Sequence, residues 1–147
     1  MKIDATVREA TRDDVGELAR LLVQLEHPMS AESIAATWDA WRAAGNVALV
    51  AERADGTLAG VATLHHMLVL HRPHPVGRIT ALVVDAAERG RGIGRVLVAA
   101  AEAELTRAGC GLLEITSNAR RVDAHAFYER LGYVRTSVRF MKPLAES

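Results

Sequence analysis

Residues 85–95 read Asp-Ala-Ala-Glu-Arg-Gly-Arg-Gly-Ile-Gly-Arg, a segment rich in glycine and arginine that falls between a strand-like and a helix-like stretch. Positions without side chains at such a junction let backbone N–H groups approach an anion, and the unsatisfied N–H groups of a helix start favour negative charge. Phosphate is the natural guest. A P-loop would end Gly-Lys-Ser/Thr, whereas this one ends Gly94-Arg95-Val96. A dinucleotide fingerprint counted from Gly90 needs a sixth-position glycine where Arg95 stands. Both common phosphate motifs therefore fail, leaving a glycine loop of another kind or a turn that merely caps a helix.

Other reactive residue types are scattered. His65 and His66 are neighbours in a strand-like stretch, so a regular strand sends them to opposite faces, and with His71 and His74 they form no tight ligand set. No metal is expected. Cys110 has no partner for a disulfide and no identifiable activating neighbour, and it reads as a small residue at a turn.

The elements that must position the loop follow from periodicity. Residues 5–9 read as a first strand. Thr11 with Asp14 three positions on marks a helix start, and Val15, Leu18, Ala19, Leu22 and Leu25 recur at helical spacing as far as His27-Pro28. Ser30 restarts the pattern, with Ile34, Ala35, Trp38 and Trp41 on one side and Gly45 as a left-handed cap. Residues 46–53 and 57–70 read as strands around the hairpin signal Asp55-Gly56, with Gly60 expected at a bulge. Residues 78–84 give a further strand, followed by the glycine loop and an amphipathic helix over about 92–108 closed by Gly109. The strand at 112–117 follows that crossover helix and should run parallel to 78–84. A shorter helix over about 123–131 ends at Gly132, and 133–144 is expected to supply the final strands. The expectation is a single α/β domain over 1–147.

Composition narrows the classes of partner. A chain of 147 residues can bury roughly 70% of its unfolded surface. Lys plus Arg balance Asp plus Glu at 18 each and aromatics are 4%, which supplies neither a basic footprint nor a stacking platform for nucleic acid. No run approaches the roughly 20 apolar residues of a membrane span, and the opening lacks a signal pattern, so neither a nucleic-acid nor a membrane partner is expected and the location expected is cytoplasmic.

Arg89, Gly92 and Gly94 match Arg/Gln-x-x-Gly-x-Gly/Ala, the acetyl-CoA motif of the GNAT N-acetyltransferase superfamily, which this loop resembles. Downstream, Asn118 and the run Phe127-Tyr128-Glu129-Arg130-Leu131-Gly132-Tyr133 resemble a second signature of that superfamily. The specific motifs lie within 79–133, while the N-terminal half is similar by element order. The resemblance implies a mixed central sheet with a splayed parallel strand pair flanked by about four helices, and acetyl-CoA as co-substrate. It implies that the amides of Gly90, Arg91, Gly92, Ile93, Gly94 and Arg95 hold the CoA pyrophosphate, with Arg91 and Arg95 adding positive charge.

The same resemblance gives the backbone of Leu82, Val83 and Val84 the role of pairing with the pantetheine arm, aided by Asn118, and one amide near Val84 the role of polarising the acetyl carbonyl. An alkylamine acceptor with a pKa of about 10.4 must lose a proton. Glu114, beside the implied cleft, is the first candidate base, and it reads equally well as an ion-paired strand residue. Glu26, His27, His65 and His66 are alternatives. Tyr128 matches the position that protonates the departing thiolate in the resembled superfamily. The implied activity is direct transfer to an amine, either a small molecule or a peptide amine, and a homodimer is compatible with it. A non-catalytic acyl-CoA-binding module is the competing expectation.

Overall fold

The computed structural model describes residues 4–25, 28–117 and 121–145. The chain forms two compact units, residues 1–116 and 117–147. In the first unit, β1 (Ala5–Glu9), α1 (Val15–Leu22), α2 (Ala31–Ala43), β2 (Val47–Arg53), β3 (Leu58–Met67), β4 (Val76–Val84), α3 (Ile93–Arg107) and β5 (Leu112–Ile115) follow in order. Their strands make one mixed sheet ordered β1-β2-β3-β4-β5. The first three pairings are antiparallel and β4 pairs β5 in parallel, joined by the crossover through α3 that a parallel pair needs.

Local chemistry sets the helix starts. The Thr11 N–H donates to Asp14 Oδ2 at 2.8 Å, turning the chain through a 3₁₀ turn into α1. Asp14 is buried and accepts from both terminal nitrogens of Arg8, at 2.8 and 2.9 Å, a pairing that holds its carboxyl below the usual range. Ser30 Oγ accepts from Ser33 N at 3.0 Å and caps α2. The hairpin at Asp55-Gly56 forms as expected, with Gly56 at φ +88°.

Helices cover both faces of the sheet. A Cβ on Gly60 would lie 3.0 Å from Leu97 Cδ1 and 3.2 Å from Ile93 Cγ2, so Gly60 points at α3 and its missing side chain permits that close approach. Its neighbour Val61 faces the other way, into a core with Leu18, Leu21, Trp38, Val50 and Val83. Leu21, Leu58, Leu64, Ile79 and Leu97 are fully buried, each worth about 1.5–3 kcal/mol of apolar burial.

The second unit carries α4 (Val122–Arg130). Here the sequence expectation is corrected, because residues 133–143 form no strand. Val134, Val138, Phe140, Met141 and Leu144 are 74–93% exposed. An alternating pattern equips a strand with a face but not with a partner, and among its described residues this unit holds no strand to pair with.

Candidate active site

The site is organised by a defect in β4. Ala81 pairs Thr63 and Ile79 pairs Leu64, so Thr80 is an extra residue, a β-bulge. The parallel ladder to β5 runs from Val76↔Leu112 to Ile79↔Ile115 and stops there, immediately before the bulged Thr80. A bulge bends its strand and increases its twist, so β4 leaves β5 there. Leu82, Val83 and Val84 remain paired with Ala62, Val61 and Gly60 along one edge. Among the described residues their other edge meets no strand. The divergence expected from sequence is therefore present, and a side chain such as Val83 packs in the core while its backbone edge stays open.

From that open edge the chain passes through a 3₁₀ turn, Ala86–Glu88, into the glycine loop. Gly90 and Gly92 lie at φ +81° and +87°, the left-handed region that glycine enters without strain. A Cβ on Gly90 would touch nothing, so backbone conformation and not space calls for glycine there. Val96 N donates to Gly92 O at 3.1 Å, which leaves the N–H groups of Ile93, Gly94 and Arg95 without intrahelical acceptors. No acidic side chain sits in this first turn, and Arg89, Arg91 and Arg95 are exposed around it. Arg89 donates to Gln24 Oε1 at 3.4 Å and Arg91 lies 3.7 Å from Glu88. Aligned donors, added cations and no competing carboxylate in the turn suit a diphosphate.

An ion network, invisible in the local sequence, anchors the start of the loop. Asp85 accepts from Arg53 Nη2 at 2.8 Å and Arg20 Nη1 at 3.1 Å. Arg53 Nε reaches Glu88 at 3.0 Å and Arg20 Nε reaches Glu17 at 2.8 Å. Both arginines also donate to the Leu58 carbonyl, at 3.1 and 2.8 Å. The Arg53 hydrogen bond pulls the Asp85 carboxyl down to about 2 against the opposing effect of burial. These partners lie 32, 35 and 65 residues apart along the chain, so no short-range signal could have joined them.

The acid–base candidates fall in different places. Glu114 stands opposite Arg78 in the β4–β5 register and is bound to it, with Arg78 Nε at 2.9 Å from Glu114 Oε1. His65 stands opposite Arg78 on its other side, so His65, Arg78 and Glu114 form one row on the sheet face away from α3. His66 takes the opposite face. Beside the bulge the hydroxyls of Thr63 and Thr80 are 2.7 Å apart. Glu26, His27 and Asn118 lie outside the described residues. In the second unit, Tyr128 is half-buried on α4 with its ring 5.3 Å from Phe127 and 6.1 Å from Tyr133, edge to face. Burial raises its phenol pKa, with nearby Arg121 opposing. Among the described residues no cluster of His, Cys, Asp and Glu could hold a metal ion.

A pocket of about 230 Å³ opens on the face away from α3, walled by Leu18 and Leu22 of α1, Ile34, Trp38 and Trp41 of α2, and Thr63 and Ala81 of the sheet. Ala81 belongs to the stretch of β4 that β5 has left. Sequence periodicity marked both tryptophans as packing residues. Their rings do pack together, tilted by 39° with centroids 5.4 Å apart, and they also wall this pocket.

The sequence pattern of the acetyltransferase (GNAT) family matches residues 12–133. The chain is 42% identical over 90 residues to the aminoalkylphosphonate N-acetyltransferase of Salmonella typhimurium, spanning 61% of this chain and 58% of that protein. It is 31% identical over 147 residues to the aminoglycoside N(6')-acetyltransferase type 1 of Stenotrophomonas maltophilia, spanning 97% and 95% of the two chains. The crystal structure of a Trypanosoma brucei acetyltransferase matches with a TM-score of 0.82 at 29% identity, over 96% of this chain and 100% of that one.

Proposed function

Because the chain belongs to the acetyltransferase (GNAT) family, we propose that it is an N-acetyltransferase that uses acetyl-CoA and acts by direct transfer to an amine in a ternary complex. One observation carries the reading: the open edge of Leu82–Val84 leads through the Ala86–Glu88 turn into a glycine loop whose helix start offers unpaired N–H groups.

When bound, acetyl-CoA supplies an acetyl group activated as a thioester. The amides of Gly92, Ile93, Gly94 and Arg95 hold the diphosphate, and Arg91 and Arg95 add charge. Leu82, Val83 and Val84 receive the amide-bearing arm as an added strand. An amide on this open edge polarises the acetyl carbonyl by hydrogen bonding, and Asn118 assists in holding the arm. Tyr128 gives a proton to the departing sulfur, since its phenol, whose pKa burial raises further, carries its proton at neutral pH.

The amine must also lose a proton. Glu114 is engaged in an ion pair with Arg78, so its carboxylate already has a partner. His65, in the same row and unpaired with a carboxylate in the described network, is the competing acceptor of that proton. Free thiol measured after mixing the protein with acetyl-CoA and a panel of primary amines tests the activity. Amine-dependent release is expected. Calorimetric binding of acetyl-CoA with no release for any amine would reduce the chain to a binding module.

A further inference from the structure

The pocket beside Ala81 has a chemical character that the family does not dictate. Among the described residues no charged side chain lines it. Its hydroxyl side chains among the described residues are Thr37 and Thr63, and both are engaged within the protein. Thr37 Oγ1 donates to the carbonyls of Ser33 and Ile34 at 3.3 Å, and Thr63 Oγ1 shares a hydrogen bond with Thr80 Oγ1 at 2.7 Å. Among the described lining residues a phosphonate would meet no cation, and a polyamine no carboxylate. An ionic group moved from water into such walls without a partner is strongly disfavoured. Aliphatic and indole surface instead favours an apolar guest.

We propose that the acceptor is a primary amine bearing a compact apolar group, aryl or alkyl, that seats in this pocket and carries no charge besides the reacting amine. The assignment rests on the acetyl-transfer reading above, since Ala81 joins the pocket to the open edge of β4. In the transfer the nitrogen lone pair forms the N–C bond and the C–S bond breaks, its electron pair leaving with sulfur. The proton lost by nitrogen ends on that sulfur, so amine and acetyl-CoA give amide and CoA.

The chain has two tryptophans and both line the pocket, so intrinsic fluorescence reads occupancy without any chemistry. Titration of the full chain with 2-phenylethylamine should give a saturable change. In the n-alkylamine series from propyl to pentyl, affinity should rise about fourfold per methylene. Kanamycin and (2-aminoethyl)phosphonate should bind at least about tenfold more weakly than 2-phenylethylamine. Thr37 is exposed on α2, so Thr37→Phe should fold, block the mouth and weaken 2-phenylethylamine by about tenfold, leaving acetyl-CoA binding unchanged.

Thiol release measured with the same amines separates the two readings. Fluorescence binding of apolar amines without thiol release would sustain the pocket assignment and remove the transfer reading. Thiol release with the phosphonate or the aminoglycoside, and none with apolar amines, would keep the transfer reading and overturn the pocket assignment. No fluorescence response to any apolar amine would overturn it as well.

Discussion

Replacing Asp85 with Asn removes one negative charge from the network that anchors the cofactor loop while keeping the side chain's shape and an acceptor for Ala87 N. Asp85 is 14% exposed and sits between two guanidiniums at 2.8 and 3.1 Å. Its carboxyl falls from 3.8 to about 2, which corresponds to about 2 kcal/mol favouring the charged form in the folded chain. A carboxyl whose folded pKa is depressed contributes its stability above the unfolded value and loses it as pH falls through the folded value. The wild-type advantage over Asp85→Asn should therefore be full at pH 7, begin to shrink below about pH 5 and be lost as pH falls through about 2. Urea unfolding of both proteins at a series of pH values measures the gap directly, and other titrating groups cancel in the difference. At neutral pH the melting temperature should drop by about 4–8 °C. A gap that stays constant from pH 7 to pH 3 would refute the reasoning, because the loss would then come from packing and not from the charge.

Gly92→Val puts a β-branched residue at φ +87° in the loop, and calorimetry should find acetyl-CoA affinity reduced by more than about 100-fold, or ~3 kcal/mol, in a folded protein. Unchanged affinity would remove the glycine loop from the binding site. Gly60→Ala directs a methyl to within 2.8 Å of the Val83 carbonyl oxygen, which as backbone cannot move aside cheaply, and should cost about 1–3 kcal/mol in urea unfolding. Tyr128→Phe keeps the ring contacts and removes the proton, so turnover should fall by roughly 100-fold with the acetyl-CoA dissociation constant unchanged. Normal turnover would make Tyr128 a packing residue. In Glu114→Gln a fall in turnover that grows toward low pH would support a base role, whereas a pH-independent change would assign Glu114 to the Arg78 pair alone.

What the sequence determined by itself is the set of features whose causes lie within a few residues. Thr11 and Asp14 start a helix because one side chain reaches a backbone N–H three positions away, and Asp55-Gly56 turns a hairpin because glycine enters the left-handed region. The glycine loop is legible for the same reason, and so is the parallel β4–β5 pairing, since a crossover helix leaves little choice of direction. What tertiary structure decided depends on residues brought together from afar. A bulge does fall beside Gly60, where Ala59 is the extra residue of the β2–β3 register, but the sequence did not mark the second bulge, at Thr80 of β4. That placement follows from registers set by two neighbouring strands at once, and it fixes where β5 lets go of β4. Arg20 and Arg53 reach Asp85, Arg78 claims Glu114, and Trp38 and Trp41 turn a packing stripe into a pocket wall, none of which any local spacing encodes. Residues 133–143 carry the alternation of a strand without becoming one, because periodicity specifies which side chains share a face, whereas a strand exists only where a second backbone supplies its hydrogen bonds.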